Sequence, residues 1–578
     1  MRIRVLFALV CAILVAAAPM RSQQARDAGA PPSGTAMLSG SVTTAGDAPK
    51  PLRAAIVTLN HVEKGYGDTV IADDDGRFEF RSVPAGRYIV TARKSGYIVA
   101  SFGSTQSGRA GTPIAVSDGA EIRNLRLALV RGGVLSGTVR HPAGEPVPEA
   151  RVELMRVSTV GSERRFEQVY SSGEEETDDR GMFRLFGIPP GEYVLRAHAE
   201  PWAMMHGAMS VHEMTAADIQ WARFQMQGGA SVSSVSTEPP PRRPRAYAPS
   251  YYPGTSSRTQ AAVIRLAPGE ERTGLDITTQ AVATSRVRGT VEFDGSRDGD
   301  VPNVSFVEVD NTDSFYGFGF THGWTFSLDG VPPGRYSVTA SLEKSKHFGT
   351  AEVVVSGQDQ NVQIRLREPL TLRGVLSFRD STQAVPKGLR VELAPLGTRG
   401  TLTISPEPAT PGADGSFEVK GIMPGRYRVN PQIPGAGAWS VESIKAGDLD
   451  VTAVPLVLTA DASTPPLIVR LTDQPTELSG GFEDASGRPA TDYFIIVFSP
   501  DERAWYRNSR AIAQTRPGTD GRFSVRALPP GNYLLAAVTD VERDQWFSPD
   551  FLKELVPGAV KVTLGAGEKK VQDLRITR

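Results

Sequence analysis

The sequence predicts an all-β chain: a tandem array of about five small Greek-key β-sandwiches, with one short helix in an insertion of the second. Three observations predict it. One pattern (Phe, seven residues, Gly, any residue, Tyr) occurs five times. Strand-length segments with apolar and polar residues in alternation, the mark of a half-buried strand, surround each copy. Gly and Pro, 58 and 43 of 578 residues, are frequent enough for many turns and too few for a low-complexity chain.

The copies are Phe78–Gly86–Tyr88, Phe183–Gly191–Tyr193, Phe326–Gly334–Tyr336, Phe417–Gly425–Tyr427 and Phe523–Gly531–Tyr533. An apolar residue follows each Phe by two positions (Phe80, Leu185, Leu328, Val419, Val525), so both side chains point to one face of a strand. Asp75-Gly76, Asp414-Gly415 and Asp520-Gly521 precede three of these strands, and Asp-Gly is a hairpin-turn pair because both residues tolerate positive φ. The third copy departs here, with Gly323-Trp324. Proline in one or both positions before the repeat Gly then reverses the chain. The Tyr opens the next strand, where a tyrosine corner would tie a buried hydroxyl to nearby backbone.

Each copy has an upstream partner, aliphatic-x-Gly-x-apolar, centred on Gly40, Gly137, Gly289, Gly374 and Gly480. Each unit closes on an alternating strand, such as Leu125-Arg-Leu127 or Val362-Gln-Ile364. The expected divisions are 31–131, 132–283 with an insertion at 200–262, 284–369 (divergent), 370–474 and 475–578, at roughly 100 residues per sandwich. Within the insertion, 214–226 reads as a helix with Thr215 as N-cap and Asp218 in the capping-box position. A Ser/Pro-rich run and the aromatic segment 247–254 follow.

Residues 137–154 and 177–195, with their Pro-Val-Pro-Glu-Ala-Arg-Val-Glu-Leu and Ile-Pro-Pro-Gly-Glu-Tyr stretches, resemble the carboxypeptidase regulatory-like domain. The resemblance is strong for the first two repeats, good for the fourth and fifth, and weaker for the third. It implies a transthyretin-like, or prealbumin-like, seven-stranded sandwich related to Ig-like and carbohydrate-binding folds. It also implies a non-catalytic module that recurs in exported bacterial surface proteins. It says little about the ligand.

Chain start and composition bound the rest. Met1-Arg-Ile-Arg followed by the apolar run Val5–Ala18 reads as a secretory signal peptide within 1–30, with an uncleaved anchor as the alternative. The expected location is therefore periplasmic, outer-surface or secreted, with no integral span after cleavage. Cys11, the single cysteine, falls in that run, so disulfides and thiolate metal sites are excluded from the mature chain. A net charge of −1 argues against nucleic acid. None of the seven histidines begins a zinc-peptidase spacing, no Gly-x-Ser-x-Gly elbow is present, and neither an enzyme nor a cofactor is expected. The clusters Asp73–Asp75 and Glu174–Asp179 fit a solvated hairpin turn, with a calcium loop as the alternative.

The expected function is non-catalytic binding at the cell envelope. The lead ligand is carbohydrate, because a flat aromatic ring stacks on the apolar face of a sugar. The rival is a structural spacer holding envelope proteins, and a hydrolase with an unrecognised site is the remote alternative. Trp202, Trp221, Tyr247, Tyr251 and Tyr252 of the insertion are the expected contacts.

Overall fold

The computed structural model describes residues 34–576 except for short runs, the longest being 200–213, 227–244, 310–315 and 397–404. The expected signal segment, Trp202 and Thr215 lie outside the described residues.

Strands dominate, and one pairing plan recurs. In the first unit Ala36–Thr44 lies between Arg77–Val83, antiparallel, and Glu121–Leu129, parallel. The facing sheet runs Gly67–Ile71, Ile56–His61, Gly86–Arg93, with Ala100–Ser101 and Ile114–Val116 beside the last. The same parallel pairing of first strand with last closes the others: Gly133–Arg140 with Glu271–Arg272, Ser285–Glu292 with Gln360–Arg365, Leu370–Phe378 with Leu467–Thr472, and Glu477–Glu483 with Lys569–Val571. Parallel neighbours need a long connection, and here the whole unit is that connection. Buried apolar side chains gather into a separate core in each unit.

The sequence repeat has a structural counterpart at each of its positions. The upstream Gly pairs with the repeat Phe every time: Gly40 with Phe78, Gly137 with Phe183, Gly289 with Phe326, Gly374 with Phe417, Gly480 with Phe523. A Cβ at Gly289 or Gly374 would stand 2.3 or 2.4 Å from the ring Cζ of its partner Phe. The bare backbone is what lets that ring lie flat across the strand.

Each repeat Tyr is buried and donates its hydroxyl hydrogen to the carbonyl four residues before it. The acceptors are Pro84 (2.9 Å), Pro189 (2.6 Å), Pro332 (2.9 Å), Met423 (2.7 Å) and Pro529 (2.7 Å). The bond ties the turn to the strand that follows it. Removing it should leave a carbonyl unpaired, so Tyr336→Phe and Tyr427→Phe should each cost about 1–3 kcal/mol. Hydrogen exchange under mild denaturant should place the loss in the third and fourth units respectively. A loss spread over all units would contradict a local tie.

Four residues after each Phe the backbone turns left-handed: Ser82 (φ 57°), Gly187 (φ 73°), Gly330 (φ 75°), Gly421 (φ 74°) and Ala527 (φ 61°). The cause is a bulge. Ala36 pairs with Val83 but Leu38 with Phe80, so two residues oppose one, and Leu370/Leu372 repeat this against Ile422/Val419. Glycine suits the position, yet Ser82 and Ala527 hold a strained conformation with exposed side chains. Ser82→Gly and Ala527→Gly should therefore stabilise their units by roughly 0.5–1 kcal/mol, strain relief outweighing lost chain stiffness. Urea midpoints of the two variants at or below that of the parent would contradict this.

Two features depart from the repeat. In the third unit Tyr316–His322 pairs with both Asn303–Glu308 and Thr325–Val331, merging the two layers into one seven-stranded sheet. Besides the expected helix, seen at Ala216–Met226, a second runs over Pro549–Leu555 in the fifth unit. Its Leu552 is buried against Phe494–Phe498, so that strand is buried on both faces.

The ends of the array meet. Arg109 of the first unit bonds Asp540 and Glu542 of the fifth at 3.0 and 3.1 Å. Thr519 donates its backbone N–H to the Pro113 carbonyl at 2.9 Å. Arg516, 4 % exposed, reaches across to the carbonyls of Ala110 and Gly103 while also bonding that of Thr491 in its own unit.

Candidate functional site

The insertion returns to its sandwich as a strand. Ser250–Tyr251 pairs with Gly191–His198, setting Tyr251 opposite Arg196. That register turns the Tyr251 ring inward onto Met155, Val194 and Ala261, where it is 1 % exposed. Tyr251 was expected among the ligand contacts; its ring instead fills a small satellite core and offers no stacking face. Beside it Arg196 and Glu153 form a buried ion pair.

Tyr247 and Tyr252 are half-buried, each packing partly on the core of the second unit. Tyr247 sits on Arg245–Ala248, paired with Gln280–Ala283, and meets His141 edge-on at 6.0 Å. Burial, with Glu145 nearby, raises its hydroxyl pKa, so the group stays protonated. Trp221 lies half-buried on Ala216–Met226, and its indole N–H is buried with no partner among the described residues. The insertion thus presents partial aromatic faces at Trp221, Tyr247 and Tyr252.

Several side chains capable of chemistry are occupied in local structure. Asp73 accepts backbone N–H bonds from Asp75 and Arg77, and Asp178 from Arg180 and Met182, at 2.7–3.0 Å. One carboxylate of each cluster, Asp73 and Asp178, therefore serves its hairpin turn. Asp484, in the turn after the first strand of the fifth unit, Glu477–Glu483, is pushed down to about 2 by bonds from Ser486 and Arg488. His61 packs between Tyr66 and Tyr88. Glu63 lies 3.3 Å from its Nδ1, but that nitrogen accepts two backbone N–H bonds. Burial holds the imidazole below its usual range, so it is neutral at pH 7. Trp505 is buried with its N–H on the Ser499 carbonyl at 2.7 Å. Among the described residues no group of three His, Cys, Asp or Glu is placed to hold a metal.

Three recesses stand out among the described residues, one of them, about 670 Å³, on the first unit around Ser39, Asp73 and Glu79. Another, of about 810 Å³, opens between the first, fourth and fifth units, lined by Trp439 and by the ion pairs Glu63–Arg87 and Glu477–Arg526. A third, about 660 Å³, lies on the outer face of the third unit around Phe320, a residue that sequence reasoning passed over. Its signal was present as the alternation Tyr316-Gly-Phe-Gly-Phe-Thr-His.

No curated protein matches the chain. Among solved structures, the Bacillus anthracis TIE protein is 16 % identical over 58 % of this chain and 51 % of its own, with a TM-score of 0.15. The chain thus spans about half the length of that protein. A streptococcal ancillary pilin is 14 % identical, covering 50 % of this chain and 98 % of its own at a TM-score of 0.18. BcpA, the major pilin subunit of Bacillus cereus, is 10 % identical, with coverage of 77 % and 99 % and a TM-score of 0.15. A family model matches from Met37 in the first strand of the first unit to Leu127 in the parallel strand that closes it. Over residues 37–127 the chain matches the carboxypeptidase regulatory-like domain.

Proposed function

We propose that the chain is an exported, non-catalytic, multi-domain binding protein of the cell envelope. Five sandwich units are divided near 131, 283, 369 and 474, and carbohydrate is the ligand. One observation carries this reading: where the reactive side chains are used. Turn carboxylates bind their own backbone, and the buried His61 is packed between rings. Among the described residues the open rings are Phe318 and Phe320, both 61 % exposed, and an open ring on a sheet suits recognition of a sugar better than turnover of one. Trp202, Trp221, Tyr247 and Tyr252 of the insertion belong to the proposed contact surface.

A second reading, a spacer that organises envelope proteins, is favoured by the seam joining the first and fifth units. A glycan array probed with the processed chain separates the two. Binding to a glycan class supports the first reading. Silence on the array, together with a stoichiometric protein partner from envelope extract, supports the second.

A further inference from the structure

The third unit carries a surface whose chemistry matches one ligand class. Its merged sheet places four strands side by side: Tyr316–His322, Thr325–Val331, Ser285–Glu292 and Gln360–Arg365. Register then aligns their outward residues in two rows. Phe320 pairs with Ser327, Ser327 with Arg288, and Arg288 with Asn361. One step along, His322 pairs with Thr325, Thr325 with Thr290, and Thr290 with Gln363. Inward neighbours such as Val287, Phe326, Val362 and Ile364 are buried, so the alternation sends both rows to solvent. Across four strands the plane measures about 14 Å, and its two rows stand about 7 Å apart.

The composition of this plane is specific. Phe320 is 61 % exposed, as is Phe318 two residues earlier on the same strand. A ring this open on a flat sheet gains no core packing from its position. Arg288, Thr290, Ser327, Asn361 and Gln363 ring the recess, and no carboxylate lines it. The amides of Asn361 and Gln363 each offer two donors and an acceptor, and the guanidinium of Arg288 offers a fork of donors. The corresponding row in the first and fourth units is different. In the fourth unit that row holds Arg373 and Glu418, bonded to each other at 3.1 Å. In the first unit it holds Ser39 and Glu79.

We propose that this face is a binding site for a pyranose oligosaccharide. The Phe320 ring stacks on the apolar C–H face of one sugar, while Asn361, Gln363 and Arg288 bond hydroxyls of its neighbours along the rows. The proposal rests on the carbohydrate reading above but places a site outside the insertion. An open aromatic platform beside uncommitted amides on a rigid plane suits a ligand that is apolar on its faces and polar around its edge. The plane is long enough for several sugars in a row. The absence of carboxylate from the lining lets the chain carry uronate groups toward Arg288.

The test is calorimetric titration of the full processed chain with cellohexaose, mannohexaose, xylohexaose and an oligogalacturonate. The variants are Phe320→Ala and the pair Asn361→Ala with Gln363→Ala. Phe320 is exposed, so its removal should leave hydrogen-exchange protection of the third unit unchanged. The proposal expects at least one probe to bind the parent and to weaken about tenfold with Phe320→Ala, the contribution of one stacked ring. The amide pair should weaken it severalfold. A parent that binds a probe while Phe320→Ala binds it equally overturns the site and leaves the carbohydrate reading standing. A parent that binds none of the four overturns both. Loss of a defined protein partner on Phe320→Ala, with no sugar bound, assigns the face to a protein and also overturns the proposal.

Discussion

Replacing Gly40 or Gly289 with alanine is expected to cost its unit about 3 kcal/mol or more, the upper range for overpacking. Neither residue has positive φ, so the effect is one of space rather than conformation. A Cβ at Gly40 would stand 2.1 Å from the Leu125 carbonyl oxygen, and one at Gly289 would stand 2.3 Å from that of Val362. Those oxygens belong to the parallel strand that closes the sandwich, so they cannot swing aside as a side chain would. At Gly289 the repeat Phe ring is also in the way, at 2.3 Å. The strand must move or the ring must leave its seat, and either breaks the pairing that holds the unit's two ends together. Gly558→Ala is the matched control, because nothing lies within 4 Å of its new Cβ and its φ is not left-handed. It should stay within about 0.5 kcal/mol of the parent. Urea unfolding followed by intrinsic fluorescence, with hydrogen exchange to locate the change, measures all three. Equal stability of Gly40→Ala and Gly558→Ala would remove close strand approach as the reason for this glycine.

Those glycines mark how far the sequence could be read. The Phe, Gly and Tyr spacing exposed five sandwiches because each position answers a local demand: a ring over a bare strand, a reversal, and a hydroxyl bonded four residues back. Such demands recur wherever the same turn recurs, so they leave a repeating signature. The bulge at Ser82 and Ala527 escaped notice because only three of its five positions are glycine. Tyr251 was misplaced for a different reason. Composition locates aromatic residues in a segment, but strand register decides which face they take, and pairing with Arg196 turned this ring inward. In the third unit the reverse happened. The merged sheet turned Phe320 outward, and nothing in the repeat announced that Tyr316–His322 would bridge two layers. The Pro549–Leu555 helix was legible only as Ser548-Pro549, a short start signal within an otherwise β-rich chain. Contacts between the ends had no signature at all. Arg516 follows no period and belongs to no motif, because its partners lie some four hundred positions away.

Arg516 is also where the second large effect is expected. Its guanidinium donates to the carbonyls of Ala110 at 2.5 Å and Gly103 at 3.2 Å in the first unit, and of Thr491 at 2.7 Å in the fifth. It lies 4.7 Å from the centre of the Phe494 ring. Burial lowers its pKa from the ordinary arginine value, with Asp492 acting in the opposite direction. Arginine still remains charged at neutral pH, and the carbonyl dipoles and the ring face solvate that charge in place of water. Arg516→Met keeps the length and removes the donors. The two carbonyls of the first unit then lose this partner, at about 1–3 kcal/mol for each one left unsatisfied, so the seam should weaken by about 2 kcal/mol or more. Arg516→Lys should recover little of this, because one ammonium cannot span three acceptors in a planar fork. Arg109→Ala should cost about 1 kcal/mol or less, since Asp540 and Glu542 are more than a third exposed and water screens the pair. Hydrogen exchange over residues 100–116 reports the seam directly, and small-angle scattering reports whether the first and fifth units separate. Full protection of 100–116 in Arg516→Met would mean that the Thr519–Pro113 backbone bond and the acidic contacts of Arg109 suffice to hold the ends together. A protected seam in Arg109→Ala beside an open one in Arg516→Met would show that two uncharged carbonyls, rather than two carboxylates, close the array.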